Sequence, residues 1–266
     1  MTRQDIIDHA VAFIASSPLN TVGPDTALTP DVAGLRLFDA PLVAFGAADD
    51  PLFDKLREPQ VVGPMFRPPG DWLDGARTVI SVFMPFSATV RESNRADPRA
   101  PSAGWLHARI EGQALLGELC CELIRRLNEQ GHGAVAPSLD PHFTTENYRS
   151  SWSERHVGFV CGLGTFGLSA GLITERGMAG RLGSVVTTLA LPPDTRPYTD
   201  VYEYCTRCGA CLRACPVHAI GEDGKKHPPC DALLEETRAA HAPYYGCGKC
   251  QVGVPCEASR PARRAE

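Results

Sequence analysis

Cys205-Thr-Arg-Cys208-Gly-Ala-Cys211-Leu-Arg-Ala-Cys215-Pro216, in the last third of the chain, has the spacing C-x2-C-x2-C-x3-C-P. The two-residue spacers let three thiolates converge on one face of a [4Fe–4S] cubane, and the fourth cysteine of such a run ligates a neighbouring cluster. A zinc site usually pairs two separated C-x2-C units or adds histidines. The run therefore predicts two [4Fe–4S] clusters and a role in low-potential electron transfer.

Four more cysteines follow this run and bring the number of candidate cluster ligands to eight. The run resembles that of two-cluster ferredoxins, and their arrangement suggests two groups of four. The first group is Cys205, Cys208, Cys211 and Cys256, and the second is Cys215, Cys230, Cys247 and Cys250. The last spacing, from Cys250 to Cys256, is C-x5-C instead of the usual C-x3-C. Cys256 is therefore the least secure ligand.

The other cysteines and two nearby histidines have no ligand-spaced neighbours. Cys120 and Cys121 lie within a helical pattern and are interpreted as small buried apolar residues. Cys161 is interpreted as packed, with an approach to a cofactor as the alternative. His218 and His227 are interpreted as solvated loop histidines.

Composition limits the class of protein. The 266 residues are 43% hydrophobic and carry a net charge of −5, without a basic run. Nonspecific nucleic-acid binding is therefore not expected, although a specific RNA substrate stays open. The N-terminus does not read as a signal peptide, and no apolar segment is long enough to span a bilayer. Eleven cysteines then favour cluster ligation in the reducing cytoplasm over disulfides.

Apolar periodicity gives a coarse secondary structure. It predicts a helix over residues 3–16 with a capping box, a buried strand over 78–84, a long helix from Trp105 to Leu127, and a second buried strand over 183–191. A proline-rich stretch at 192–197 separates the preceding part of the chain, which has apolar periodicity, from the following part, which contains the regularly spaced cysteines. We expect a cofactor and substrate domain at 1–195 and a ferredoxin-like domain at 196–266.

Residues 154–187, which begin Glu154-Arg155 and contain Gly162-Leu-Gly-Thr-Phe-Gly167, resemble the region that precedes the clusters in epoxyqueuosine reductases and corrinoid reductive dehalogenases. Residues 75–86 are similar to the early strand of those reductases. The resemblance covers about half the chain. It implies an α+β protein, in which a flattened, nitroreductase-like, cobalamin-binding α/β domain precedes a small ferredoxin-like domain.

The same resemblance implies an oxidoreductase. Base-off cobalamin would be reduced to Co(I) by the nearer cluster, and the cofactor would then carry the difficult chemistry. The expected partners are an external low-potential donor, either ferredoxin or flavodoxin, and a small organic or nucleoside substrate. The oligomeric state stays open.

The glycine turn and a neighbouring strand are the candidate cofactor site. The turn matches G-x-G-x-x-G, which can place phosphates on backbone amides at a helix N-terminus. A nicotinamide site is disfavoured because residues 177–193 contain no acidic residue to hold a ribose. A tight structural turn is the alternative to a corrinoid site, and a surface salt bridge is the alternative for the arginine. The candidates are Gly162, Leu163, Gly164, Thr165, Phe166, Gly167, Arg181, Gly183 and Ser184.

The proton donor is the point where the chain departs from its resemblance. The aspartate that serves epoxyqueuosine reductases as proton donor would fall near Tyr148, or within an insertion that contains Asp140. Tyr148 is one candidate, and Asp140 is another if burial raises its pKa. A structural tyrosine and a turn-forming aspartate are the simpler interpretations.

Three other functions stay open at this stage. One is a redox partner that docks an enzyme without its own catalysis, another is a flavin-dependent reductase, and the third is a zinc-bound structural module. The first two keep the iron–sulfur clusters, whereas the third replaces them.

Overall fold

The computed structural model describes residues 1–262. Its helices and strands alternate irregularly along the chain. The α-helices are α1 (Arg3–Ser16), α2 (Pro51–Lys55), α3 (Pro69–Trp72), α4 (Ala88–Ser93), α5 (Ala103–Glu129), α6 (Glu154–Val160), α7 (Ala210–Ala214) and α8 (His227–His241). The strands are β1 (Leu42–Ala47), β2 (Thr78–Pro85), β3 (Ala134–Val135), β4 (Thr145–Glu146), β5 (Arg149–Ser150), β6 (Gly164–Phe166), β7 (Leu172–Thr174), β8 (Gly180–Thr187), β9 (Ile220–Gly221) and β10 (Gly224–Lys225). Short 3-10 helices occur at Pro18–Asn20, Pro30–Val32, Pro137–Leu139 and Lys249–Gln251.

The main sheet has the strand order β1-β2-β8-β3, and every neighbouring pair is antiparallel. Strand β2 is central, and all eight of its residues are buried. This explains its continuously apolar, β-branched sequence, because a strand covered on both faces has no solvent side for polar residues. The strand predicted at 78–84 is confirmed. The second predicted strand begins and ends earlier than expected, at 180 and 187.

Helix α1 has the predicted bounds and the predicted capping box. The Thr2 side chain accepts a hydrogen bond from the Asp5 N–H, and the Asp5 carboxylate accepts one from the Thr2 N–H. The loop that follows is held by the buried Asn20, whose amide donates to the carbonyls of Ile14 and Phe38. This bonding satisfies backbone groups in a segment that has little regular structure.

Helix α5 covers one face of the sheet. Gly183 of β8 lies under Leu116, so that a Cβ added at Gly183 would be 3.0 Å from the Leu116 side chain. Cys120 is buried as predicted, but the prediction for Cys121 is wrong, since its side chain is exposed. Consecutive helical residues point about 100° apart, so both cannot face the same core.

The cysteine-rich segment packs directly on the rest of the chain. Gly248 lies against the indole of Trp105 on α5. The buried Glu257 carboxylate forms ion pairs with Arg91 and Arg95, which lie on and just after α4. The two parts of the chain therefore share buried contacts, and the division at residue 195 remains a prediction. In the described part of the chain, no helix is both long enough and apolar enough to cross a bilayer.

Candidate iron–sulfur centre and adjoining cleft

The four cysteines of the first predicted group line one small cavity. Apart from Arg207 and a few small polar groups, its walls are largely apolar, and they include Leu168, Ile173 and Val254. Burial raises the pKa of the Cys256 thiol to about 12, and the thiols of Cys211, Cys205 and Cys208 raise it further. The structure thus brings Cys256 to the other three cysteines.

The extra residues between Cys250 and Cys256 form a turn. The backbone at Gly253 has a φ of +65°, and its N–H donates to the Glu257 carboxylate at 2.6 Å. The Met178 N–H donates to the Cys256 carbonyl at 3.0 Å. These bonds position Cys256 despite its unusual spacing.

The second predicted group lines another cavity, of about 120 Å³, whose walls include Cys215, Cys230, Cys247 and Cys250. Burial raises the pKa of the Cys250 thiol to about 12, and the neighbouring thiols act in the same direction. The Ala219 N–H donates to the Cys215 sulfur at 3.2 Å, which is the type of bond that tunes an iron–sulfur cluster.

The donor sets fit clusters held only by cysteine. Among the residues that the structure describes, neither cavity is lined by histidine, aspartate or glutamate, so each offers four cysteine thiols as its potential ligands. In residues 1–262, no three His, Cys, Asp or Glu side chains converge as ligands of a single metal ion. Cysteines of both groups pack around the same small apolar cluster, which contains Leu168, Ala219 and Ile220. The two cavities are therefore neighbours.

A polar cleft of about 530 Å³ adjoins the second cavity. The second cavity and the cleft share a wall, which is formed by residues of β8, β10, α5 and the 3-10 helix at 249–251. The shared lining residues are Arg109, Gly180, Arg181, Lys225 and Gln251. The first cysteine cavity shares only Ser169 and no cation with the cleft. The second group is therefore the one beside the cleft.

Glu154 is the one carboxylate in the described lining of the cleft. Burial raises its pKa to about 7, although hydrogen bonds from neighbouring side chains act in the opposite direction. The Ser184 hydroxyl donates to Glu154 Oε2 at 2.7 Å, and the Trp152 indole N–H donates to that hydroxyl at 2.9 Å. The other oxygen, Oε1, is shielded from solvent and has no hydrogen-bond partner.

Sequence reasoning missed Glu154 as a functional candidate. The available signal was its position as the first residue of the segment that carries the resemblance, at the start of α6. A glutamate at a helix N-terminus is common, however, because it interacts favourably with the helix dipole. Only the packing of Trp152 and Ser184 around it reveals its burial.

The glycine turn does not form the expected phosphate site. It connects α6 to strand β6, not a strand to a helix, so no helix N-terminus lies behind it. Gly162 has a φ of +98° and faces residues 194–196, whereas Gly164 lies tightly against the Ile173 carbonyl. Gly167 lines the first cysteine cavity. The turn is therefore a close-packed support for the cysteine segment.

Most of the remaining cofactor candidates serve packing or hydrogen bonding and do not line the cleft. Leu163 and Phe166 are buried, and the Thr165 hydroxyl accepts a hydrogen bond from the Tyr204 N–H at 2.9 Å. Gly183 serves the packing of α5, whereas Ser184 bonds to Glu154. Of the nine candidates, Arg181 lines the cleft directly.

The two predicted proton donors do not line the cleft. The pKa of Asp140 is lowered, because its carboxylate accepts hydrogen bonds from the backbone and ring of His142. Tyr148 lies in the turn between β4 and β5, is 55% exposed, and stacks on His227 at 5.1 Å between ring centroids. The condition on which Asp140 was a candidate, a raised pKa, is thus not met. Cys161 is buried, and its thiol donates to the Val79 carbonyl at 3.7 Å, as the packed interpretation requires.

Two cysteine-lined cavities next to a polar cleft define an iron–sulfur protein, and residues 198–221 match the family described as 4Fe-4S binding domain, Fer4. The chain is 34% identical over 114 residues to an epoxyqueuosine reductase of Listeria monocytogenes, across 39% of this chain and 29% of that protein. It is 36% identical over 103 residues to a tetrachloroethene reductive dehalogenase of Desulfitobacterium hafniense, across 36% of this chain and 19% of that protein. These matches thus span less than a third of either relative.

Solved structures extend the likeness to most of the fold. An epoxyqueuosine reductase with a modified tRNA stem loop has a TM-score of 0.54 and 17% identity, over 98% of this chain and 66% of that one. A reductive dehalogenase described for B12-dependent dehalogenation has a TM-score of 0.55 and 15% identity, over 83% and 30%. The chain is therefore similar in part of its sequence, and in its fold, to epoxyqueuosine reductases and reductive dehalogenases, which are oxidoreductases. The predicted resemblance and the α+β fold class are confirmed.

Proposed function

We propose that the chain is a cobalamin-dependent iron–sulfur reductase, in which electrons pass from two [4Fe–4S] clusters to a corrinoid in the cleft and then to a small organic or nucleoside substrate. The observation that carries the proposal is the shared wall between the second cysteine cavity and the cleft, formed by five residues that include Arg109 and Arg181. A cluster held by the second group would therefore lie next to the cleft and could pass electrons into it.

The difference in exposure between the two groups supports a direction of electron flow from the first group to the second. Cys208 of the first group is exposed, whereas Cys215 and Cys250 of the second group are held deeper. We assign entry to the first group, from an external ferredoxin or flavodoxin, and exit to the second. The two groups contact one apolar cluster, so no large polar region separates them.

The cleft fits a large polar cofactor with an apolar centre. Phe83, Leu172 and Leu182 supply apolar surface, and arginine, glutamine and serine side chains supply hydrogen-bonding groups. The residues that would hold a corrinoid are Arg109, Gln113, Ser150, Arg181 and Gln251. When bound, a corrinoid supplies the low-potential metal centre that protein side chains lack.

Glu154 is the acid that we assign to the cleft. A carboxyl group with a pKa of about 7 holds its proton below neutral pH and can release it to a developing negative charge. The hydrogen bond from Ser184 fixes Oε2, which leaves Oε1 as the atom that carries the proton. Glu154 thus takes the role for which the sequence offered Tyr148 and Asp140.

The test is cofactor binding by the anaerobically purified and reconstituted protein. We expect about eight iron and eight sulfide per chain, and a base-off corrinoid spectrum by ultraviolet–visible and EPR spectroscopy when hydroxocobalamin is added. The Arg181→Glu variant should weaken corrinoid binding, whereas Arg176→Glu, whose side chain pairs with Asp39 outside the cleft lining, should not. Clusters without corrinoid binding would favour an electron carrier, and a released yellow chromophore would favour a flavin enzyme.

A further inference from the structure

The cleft gathers positive charge from four separate elements. Arg109 comes from α5, Arg155 from α6, Arg181 from β8 and Lys225 from β10. Glu154 is the only carboxylate in the described lining, and it is protonated in part near neutral pH. Arg109, Arg181 and Lys225 are half-buried and Arg155 is exposed. Like charges brought together repel one another unless an anion accompanies them. The folded chain therefore leaves charge here that its own side chains do not balance.

The guanidinium groups are held in place, but they keep free donors. The Arg109 guanidinium lies over the Tyr245 ring at 4.3 Å, and an Arg181 N–H donates to the Gln113 side chain. The Nε atoms of both Arg109 and Arg181 are shielded from solvent and have no hydrogen-bond partner. Buried donors are almost always satisfied in folded proteins, so these two indicate a missing acceptor.

The second cluster is one possible source of the balancing charge, because four thiolates make it anionic. Three of the four cations line both the cavity of the second group and the cleft, namely Arg109, Arg181 and Lys225. The fourth, Arg155, lines the cleft but not that cavity. Burial and, to a smaller extent, the nearby Arg109 together lower the pKa of Arg181 to about 10. Mutual repulsion of this kind is relieved by an anion that both guanidinium groups contact.

We propose that Arg109, Arg155 and Arg181 form a phosphate-binding subsite in the cleft. Guanidinium groups bind phosphate through two parallel charge-assisted hydrogen bonds, and the unpartnered Nε atoms of Arg109 and Arg181 can each supply one of them. The phosphate belongs either to the nucleotide loop of a corrinoid or to a phosphorylated substrate. The first source rests on the proposed function, and the second does not.

The experiment uses the reconstituted holoprotein under anaerobic conditions, with pyrophosphate as the probe and calorimetry as the measurement. We expect pyrophosphate to bind and its affinity to fall with added salt. Arg181→Gln and Arg109→Gln should each weaken binding by roughly 10-fold or more, because each removes a charge-assisted contact. Arg181→Lys keeps the charge and should lose less.

Arg238→Gln is the matched control, because Arg238 lies over the same Tyr245 ring at 4.1 Å but does not line the cleft. It should leave pyrophosphate affinity unchanged. Iron content and circular dichroism show that each variant is folded and loaded. Absence of pyrophosphate binding, or equal affinity in the Arg181 and Arg109 variants, would overturn the proposal. A changed cluster potential with unchanged anion binding would assign the arginines to the cluster instead.

Cobalamin and cobinamide, which lacks the nucleotide phosphate, distinguish the two sources. Competition of pyrophosphate with cobalamin but not with cobinamide supports a corrinoid phosphate. Binding of pyrophosphate to the protein already saturated with cobalamin supports a phosphorylated substrate. If pyrophosphate binds but neither corrinoid does, the subsite stands and the proposed corrinoid function fails.

Discussion

The two cysteine groups have the same ligand chemistry and different surroundings. The first lies among mainly apolar residues with Cys208 exposed, and shares no cation with the cleft. The second has Arg109, Arg181 and Lys225 in its walls. Since nearby positive charge stabilises the reduced, more negative state of a cluster, the second group should have the higher potential. Under the proposed function, the surroundings of the two groups, and not their ligands, then set the direction of electron flow.

The two groups are also anchored differently. The first is held through the Glu257 carboxylate and the backbone of Met178, which are polar contacts. The second is held by close packing of Gly248 on Trp105. Substitutions in each anchor should therefore affect one group before the other.

The largest expected effect comes from removing one ligand of either group. Cys250→Ser should lose about four of eight irons and the cluster beside the cleft, whereas Cys256→Ser should lose a similar amount from the other cluster. Iron analysis and EPR spectroscopy measure both. Cys121→Ser, at an exposed cysteine outside the groups, is the control and should keep all its iron. Full iron content in Cys256→Ser would remove that residue from the ligand set.

Glu257→Gln tests the polar anchor of the first group. The change leaves Arg91 and Arg95 without their buried partner and should destabilise the fold by about 3–5 kcal/mol. Thermal unfolding of the holoprotein and the rate of iron loss to a chelator measure the effect, which should begin at the first cluster. Glu236→Gln removes the exposed partner of Arg99 and should cost less than about 1 kcal/mol. Equal losses in the two variants would contradict the assigned anchor.

Gly248→Ala tests the packed anchor of the second group. The new methyl group would overlap the Trp105 indole, and the backbone φ of +72° disfavours any side chain. We expect a loss of about 2–4 kcal/mol, with preferential iron loss from the second cluster. Gly253→Ala is the matched control, because φ is +65° there and no atom lies near the added methyl. It should cost only about 1 kcal/mol. The same melting temperature in both variants would show that packing on Trp105 contributes little.

Glu154→Gln tests how the carboxyl group in the cleft, beside the second group, makes the stability of the fold depend on pH. The folded pKa is about 7 and the ordinary value 4.5, so between these pH values the folded chain keeps a proton that the unfolded chain has lost. Stability should therefore fall as pH rises through this window, by about 1–3 kcal/mol more in the native protein than in the variant. Melting temperatures from pH 5 to 8 measure the difference. Glu146→Gln, on the exposed hairpin, should keep the native pH dependence.

The smallest effects are expected at the proton donors suggested by the sequence. Tyr148→Phe and Asp140→Asn change side chains outside the cleft lining, so corrinoid affinity should stay within about 2-fold and stability within about 0.5 kcal/mol. A large loss of corrinoid reduction in either variant, with unchanged clusters, would restore that residue as the donor in place of Glu154.

The local features of the fold were predictable from the sequence. The bounds of α1 and its capping box follow from side chains at Thr2 and Asp5 that bond to neighbouring backbone groups. Strand β2 follows from an apolar run whose composition suits a strand buried on both faces. The long helix was predicted, but it extends two residues beyond each predicted end, and its exposed face was misassigned at Cys121.

The sequence by itself determined the run from Cys205 to Cys215 with its C-x2-C-x2-C-x3-C-P spacing, because such short spacers let three thiols meet around one cluster. The grouping of all eight cysteines came from the resemblance to two-cluster ferredoxins and stays a prediction. Tertiary structure alone decided the cleft, whose charged residues come from four elements far apart in the chain. It also decided that the glycine turn supports the first group, and that the half-buried Glu154 is bonded to Ser184, which in turn is bonded to Trp152. The physical reason is that ligand spacing acts over a few bonds, whereas burial and charge depend on every element that packs nearby.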